Sequence, residues 1–481
     1  MFSCFERLCG FLYRIFLSRN LGAEFLGIYQ ITLSVVGVLV TISASGIPIT
    51  VSRLMIKERA KGSKSGEKDV VSAGILSCLI LSVPITLCLY LFKDAFSFIF
   101  ADGRSYDLLL VILPGVVITS VYAVIRGYFW GNRYFFTYSL IELLEEAVMC
   151  VSGVIIVGFA SSPTEKAMGA AQSVLISYVF SFVLSTSFFL IKSGKPGNPL
   201  RKLKPVLESS SPITLMRTLT SFLGSVVSII LPQKLLEFGF SKVRAMEAFG
   251  ALSGMTLPLL FIPSTIIGSI ALVIVPKLSE SYYKKDKTTL KFAIARSIDY
   301  SVLFATIIIP TFIVCGKEIG CIIYDNSEAG GYLSVSGFIM LPMSLTMISN
   351  SVLNSLNHEK KTLFNFISGA VAMILSVLFL TRFIGVYSLI TGYLLSYAVT
   401  GVLNFVLLHK VTGDTALYLK QITSFCIGLA ISTLFGYFLH GIVKGKVADF
   451  LVLVIIAVAT VVFQSLYLQV TKTFDFKSVL K

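Results

Sequence analysis

Charge is what this sequence is short of. Asp, Glu, Lys and Arg together make up 14% of its 481 residues, where soluble domains carry roughly 25%. With 55% hydrophobic residues and a mean hydropathy of +0.87, the chain holds more apolar surface than a water-soluble fold can hide, so its solvent is lipid. Histidine is nearly missing, with only His358, His409 and His440 present. The eight cysteines (Cys4, Cys9, Cys78, Cys88, Cys150, Cys315, Cys321 and Cys426) fall in or beside apolar runs and make no Cys-x-x-Cys pair. These scarcities exclude a disulfide framework and a metal site, and no cofactor is expected. A Walker-type phosphate loop is missing as well, which excludes ATP hydrolysis of that kind, and so are the serine-hydrolase elbow and the zinc-protease helix motif. No cleavable signal peptide is read, because Glu6, Arg7 and Arg14 interrupt the first apolar run. That run is short and begins at Met1, which points to a truncated start.

Acidic residues are the scarcer sign: 25 Asp+Glu against 40 Lys+Arg, a net charge of +15. In a lipid-embedded chain this is first the Lys/Arg bias of cytoplasmic loops. An anionic substrate such as a phosphate or pyrophosphate is a second source, and nucleic acid is not an expected partner. Apolar runs long enough to cross a bilayer at about 20 residues each lie near 2–18, 27–51, 70–92, 107–125, 137–159, 167–191 and 211–232, then near 249–275, 289–314, 331–354, 364–384, 387–408, 419–440 and 447–469. The reading is an all-α integral membrane protein of about fourteen transmembrane helices. With the N-terminus inside, the inner loops and tail carry 25 Lys+Arg and the outer loops 11, which puts both termini in the cytoplasm.

Prolines inside the apolar runs pair at nearly one offset. Pro48 and Pro276 are 228 residues apart, Pro84 and Pro310 are 226 apart, and Pro114 and Pro342 are 228 apart. The segments Asn132–Thr137 and Asn357–Thr362 both read N-x4-T, 225 residues apart. Proline in a membrane helix frees a backbone carbonyl and makes a kink. Matching kinks predict two parallel six-helix repeats, residues 1–192 and 193–412, plus two C-terminal helices in 413–481. Both repeats start from the same side, a plan that places substrate between the halves; chance spacing among 14 prolines is the other reading.

Ionisable groups inside spans are costly and therefore functional candidates. Arg14 lies in the middle of the first span. Glu142, Glu145 and Glu146 open the fifth, with Glu145 about 12 Å along it at 1.5 Å per residue. Arg217 in the seventh span and Arg296 and Asp299 in the ninth sit at similar depth. A hydrated, mostly cationic cavity open to the cytosol explains them together. Simpler readings stay open: Arg296 and Asp299 pair at i,i+3, Arg53 anchors the end of the second span, and Arg217 snorkels to the interface. Lys57, Arg59, Lys61, Lys64 and Lys68 read as topology signals and headgroup contacts. Guanidinium grips phosphate through a planar fork of donors and stays charged at any accessible pH.

Several stretches resemble a known family. Arg7-Leu-Cys-Gly-Phe, then Arg14, then the run from Ser18-Arg19 to Gln30, resemble the opening of the MOP exporter superfamily. Gly46 to Arg53 is similar to the end of its second helix, Arg126 to Gly131 to its fourth, and Gly254 to Pro258, Ile262-Pro263 and Val275 to Glu280 to its eighth. The branch most similar is the SpoVB/YtgP-like polysaccharide-transport proteins, relatives of the lipid II flippase MurJ. The resemblance implies fourteen helices in two lobes around a V-shaped cavity and alternating access for an undecaprenyl-linked sugar. It implies functional roles for arginines that match Arg14 and Arg53. Two features of MurJ-type proteins are not matched: nothing acidic follows Glu24 early in the second helix, and Leu257 or Pro258 stands where the eighth carries arginine.

The expectation is a bacterial cytoplasmic-membrane flippase, monomeric and not an enzyme, serving peptidoglycan, spore-cortex or surface-polysaccharide assembly. Its partners are a lipid-linked oligosaccharide and membrane lipid. The substrate contacts are Arg14, Arg53, Arg217 and Arg19, and the ion-coupling groups are Glu145, Glu142 and Asp299. A cation-coupled drug exporter of the same superfamily is the alternative, and it requires acidic groups to dominate the cavity. A membrane glycosyltransferase or polymerase is a further one, disfavoured by outer loops no longer than about 15 residues, too short to carry catalytic acids.

Overall fold

A computed structural model of the protein describes residues 2–193, 196–284, 286–413, 416–471 and 473–474. Helices account for nearly all of them, and no strand occurs among the described residues beyond an isolated bridge between Lys444 and Val447. The chain forms two compact units, Met1–Gly250 and Ala251–Lys481.

The first unit holds α1 (Phe2–Ala44), α2 (Ile47–Ala60), α3 (Lys64–Leu91), the short α4 (Lys93–Ser97), α5 (Gly103–Gly131), α6 (Phe135–Phe159), α7 (Pro163–Ser193), α8 (Leu203–Glu237) and α9 (Lys242–Phe249). Residues 19–26, read above as an outer loop, are helical. The chain turns there on Gly22 alone, with φ 73° and ψ 174°, a conformation open essentially to glycine. Gly22→Ala is therefore expected to cost about 1–3 kcal/mol, read as a lowered thermal unfolding midpoint in detergent. The helix then breaks at Ser45-Gly46, and α2 restarts with Pro48 in its first turn, where the missing N–H costs nothing.

Close backbone approach holds these helices together, as it must where lipid removes any hydrophobic drive between them. Gly127 and Gly131 of α5 form a small-xxx-small face. A Cβ on Gly127 would lie 2.6 Å from the Pro48 carbonyl oxygen, and one on Gly131 would lie 3.4 Å from that of Ser52. α5 thus lies directly on α2. Gly27 of α1 and Gly250 at the end of α9 meet in the same way, Gly250 against the Ala23 carbonyl. α8, assigned above to the second repeat, packs along α1, α2 and α3. The compact units part at Gly250, at the end of α9, whereas the boundary at residue 192 is one between sequence repeats.

In the first unit, two of the loop cations read above as headgroup contacts, Arg59 and Lys61, are engaged in the protein. Arg59 contacts Glu67 at 2.5 Å and Asn132 at 2.7 Å, and Lys61 lies 3.5 Å from Glu58, which also binds Lys202 at 2.9 Å. Before α5, Asp102 caps the helix through the Arg104 N–H at 2.9 Å. Burial pushes the Asp102 carboxyl up, but the Arg104 side chain and backbone hold it below the usual carboxylate range.

The second unit continues from a π-helical turn, Gly250–Thr256, through α10 (Leu257–Phe261), α11 (Ser264–Tyr283), α12 (Lys287–Tyr324), α13 (Ser327–Ser336), α14 (Met340–Ser355), α15 (Glu359–Ile384), α16 (Tyr387–Thr412), α17 (Ala416–Val443) and α18 (Asp449–Val470). Its core joins α12, α14, α16, α17 and α18 around Val302, Leu353, Leu408, Phe425 and Leu468. α17 is pinned to α12 by one buried carboxylate: Glu318 Oε1 lies 2.9 Å from Lys444 Nζ and 3.0 Å from His440 Nε2. Glu318→Gln is expected to loosen α17 by about 1–3 kcal/mol, seen as faster amide hydrogen exchange around residues 440–449.

Eleven stretches among the described residues are long and apolar enough to cross a membrane, against the fourteen expected. The difference has identifiable causes. Phe5–Ala60 counts as one stretch because Gly22 bends the helix without ending it. α6 carries three glutamates within 25 residues. The eighth expected span is divided among the π turn, α10 and the start of α11.

The same local devices recur in both units. Asp102 and Asn326 are side-chain N-caps 224 residues apart. Arg133 and Asn357, also 224 apart, take left-handed backbone at φ 61° and 62°. Each is followed by an N–H that reaches back five residues, Tyr134 to Phe129 at 2.9 Å and His358 to Leu353 at 3.0 Å. The N-x4-T spacing of 225 is one residue out of step with this backbone register, so Arg133, and not Asn132, is the counterpart of Asn357. Pro276 lies in α11, but its side-chain environment is outside the described residues.

Candidate functional site

One face of α1 carries Glu6, Gly10, Tyr13, Arg14 and Leu17, spaced at three and four residues as a single helical stripe requires. Opposite it, α6 presents Glu142, Glu146 and Cys150 at four-residue spacing. The two helices close on each other because position 10 is glycine: a Cβ there would sit 2.7 Å from Glu146 Oε1. Cys150 Sγ lies 3.7 Å from the Cys9 carbonyl, and Tyr13 bonds Ser173 of α7 at 2.9 Å. Arg14 is half-buried and interacts electrostatically with Glu146, which also faces Glu6.

α5 contributes Arg126, whose Nη1 reaches Glu142 Oε1 at 3.4 Å. Its guanidinium lies 5.3 Å from the Trp130 ring centroid. Tyr138 lies against Glu142, and Ser181 of α7 lies against Glu145. The result is a continuous polar wall in the first unit, mixed in sign: Glu6, Glu142, Glu145 and Glu146 among Arg7, Arg14 and Arg126. The mostly cationic lining expected from the sequence is not what this wall carries.

The remaining sequence-predicted residues are spread more widely. Arg53 is exposed on α2 and makes no ion pair or hydrogen bond with a described residue. Arg217 is exposed on α8, and its Nη1 donates to the Ser45 carbonyl at 3.2 Å, at the break between α1 and α2. Thr214, one turn earlier, accepts the Gly46 N–H at 3.2 Å. Arg217 thus closes the end of α1. Arg19 is exposed near the Gly22 bend. Asp299 belongs to the second unit, where it is buried and interacts with Arg296. Arg296 in turn bonds the Tyr300 hydroxyl at 3.1 Å and lies over the Phe292 and Tyr300 rings.

Sequence reasoning did not single out Glu6, Tyr13, Arg126 or Ser181. Hairpin symmetry marks Arg126: it stands eight residues before Tyr134 and Glu142 eight after, so the α5–α6 turn brings them face to face.

The family described as polysaccharide biosynthesis protein matches residues 1–282. The chain belongs to this family. As a polysaccharide biosynthesis family member it is 24% identical over 446 residues to Stage V sporulation protein B of Bacillus subtilis (strain 168), which covers 90% of this chain and 85% of that protein. Sporulation protein YkvU of the same organism is 20% identical over 288 residues, 58% of this chain and 63% of that one. Among solved structures, lipid II flippase MurJ in an inward closed conformation matches with a TM-score of 0.71 at 15% identity, over 97% of this chain and 98% of that one. An inward-facing multidrug resistance MATE family transporter of the MOP superfamily matches at 0.70 and 16% identity, over 85% and 94%. This member of the family therefore has the all-helical fold of MurJ and MATE transporters, and it is a multi-pass membrane protein.

Proposed function

We propose that the chain is a flippase that moves an undecaprenyl-pyrophosphate-linked sugar across the bacterial cytoplasmic membrane by alternating access, with both termini cytoplasmic. The observation that carries the proposal is the α1–α6 wall, where Arg14 stands half-buried beside Glu146. A lipid pyrophosphate is polar at the junction of sugar and tail, and a guanidinium that interacts electrostatically with a carboxylate inside a span is poised to exchange that neighbour for phosphate. Arg53, exposed and without a protein ion pair, supplies a second fork of donors. Arg19 and Arg217 complete the proposed basic set, Arg217 by fixing the Ser45 carbonyl so that α2 and its Arg53 hold their direction.

Glu142 and Glu145 serve as coupling groups in the first unit and Asp299 in the second, so transport draws on an ion gradient and not on ATP. The repeats 1–192 and 193–412 act as the rocking lobes and 413–481 as an appendage, in a monomer. Support for alternating access comes from the fold, which solved relatives adopt in both inward-facing and outward-facing conformations. The test is turnover of a labelled undecaprenyl-pyrophosphate disaccharide in proteoliposomes, joined to complementation of a strain lacking its lipid II flippase. Transport without added ATP supports the reading, and failure of both assays overturns it.

The acid-rich wall favours one second reading, a cation-coupled exporter of drugs on the same fold. Efflux of cationic dyes by proteoliposomes that do not move the lipid-linked sugar would decide for it.

A further inference from the structure

A second feature lies wholly in the second unit. α14, α16 and α17 leave between them an apolar groove of about 600 Å³. Ala398, Val402 and Val406 run along α16 at four-residue spacing and form its open side; Val402 and Val406 are exposed. Gly401 leaves the floor low, where a Cβ would come within 3.1 Å of Thr346 Oγ1. Ile422 of α17 bounds the groove, and His409 and Lys410 stand together at one end.

We propose that this groove is a binding site for one anionic membrane phospholipid, its acyl chain between the helices and its phosphate at Lys410. Three observations carry this. The groove is a cleft between three helices and not one lipid-facing surface, and a void lined by apolar side chains forfeits dispersion contacts unless a chain fills it. Its length fits: Tyr397 to Lys410 spans about 20 Å at 1.5 Å per residue, against roughly 15 Å for one leaflet of the hydrocarbon core. Its charge is one-sided, because the polar end presents an exposed lysine beside a histidine and no carboxylate is among the described residues that line the groove. Apolar contact alone retains any phospholipid; the lysine end selects an anionic one. The inference does not rest on the transported substrate, since every residue it uses lies outside the α1–α6 wall.

The test is native mass spectrometry of the full chain in detergent, titrated separately with palmitoyl-oleoyl phosphatidylglycerol, the matching phosphatidylcholine and undecaprenyl phosphate. One phosphatidylglycerol is expected to stay bound under activation that strips phosphatidylcholine. Lys410→Gln should weaken its retention about fivefold, and Val402→Trp, at an exposed position that fills the groove, should remove it. Val406→Trp serves in its place if the first variant does not fold. Equal retention of phosphatidylcholine, retention unchanged in both tryptophan variants, or displacement of phosphatidylglycerol by an equal amount of undecaprenyl phosphate would each overturn the proposal.

Discussion

Replacing Arg14 and Arg53 together with alanine is expected to reduce transport of the lipid-linked sugar at least about a hundredfold while the protein still inserts and folds. Each guanidinium is asked to supply a charge-assisted contact of about 1.5–3 kcal/mol to the pyrophosphate, and two such losses multiply in rate. The two positions differ in what else they do, and that gives the prediction its control. Arg53 pairs with nothing described in the protein, so Arg53→Ala should leave thermal unfolding unchanged and act on transport alone. Arg14 offsets Glu146 and, through it, the neighbouring Glu6. Its removal leaves carboxylates crowded on one wall, which destabilises. Arg14→Ala combined with Glu146→Gln should therefore recover stability without recovering transport. If that combination restores transport as well, Arg14 is a structural counter-charge and the phosphate role is refuted. Arg14→Lys keeps charge but loses the planar fork, and partial activity there is the intermediate result expected.

The all-helical membrane fold is legible in composition and apolar run length, and what escapes has a common physical origin. Apolar length reports how far a helix can run through lipid, but it says little about where the helix bends. Residues 19–26 look like a loop because Arg19 and Glu24 interrupt the hydropathy, yet one glycine makes the whole turn. The eighth span looks continuous because its residues are apolar, yet it runs through a π turn, the five-residue α10 and into α11. The site shows the same division. Intramembrane glutamates stand out in any sequence of low charge, so Glu142, Glu145 and Glu146 are visible at once. Their partners are not, because Glu6 and Arg126 lie near span ends where charge is ordinary, and only the Gly10 contact and the α5–α6 turn bring them to the same wall. Arg217 was legible as an intramembrane charge, but its bond to Ser45 depends on the break before Pro48 meeting α8, which no spacing rule encodes.

The wall's mixed sign leads to the second large effect. A carboxylate inside a span is retained at high cost unless it changes its state during work, and this wall holds several around a single α1 stripe. Ion coupling therefore needs at least one of them to exchange a proton or cation when substrate draws Arg14 away from Glu146. Glu145→Gln and Glu146→Gln together should abolish the acceleration of transport by an imposed pH or sodium gradient, leaving at most slow exchange of lipid-linked sugar at equal concentrations on both sides. The separation between driven and exchange transport in proteoliposomes is the decisive measurement. Loss of both activities would mean that the glutamates only support the fold, and gradient-driven transport at the wild-type rate would place coupling on the remaining proposed groups, with Glu142 and buried Asp299 of the second unit the next residues to neutralise. Because Arg126 is fixed to Glu142 and not to Glu145, the glutamine pair leaves the α5–α6 ion pair intact. A fall in driven transport then reports the carboxylates themselves and not a collapsed hairpin.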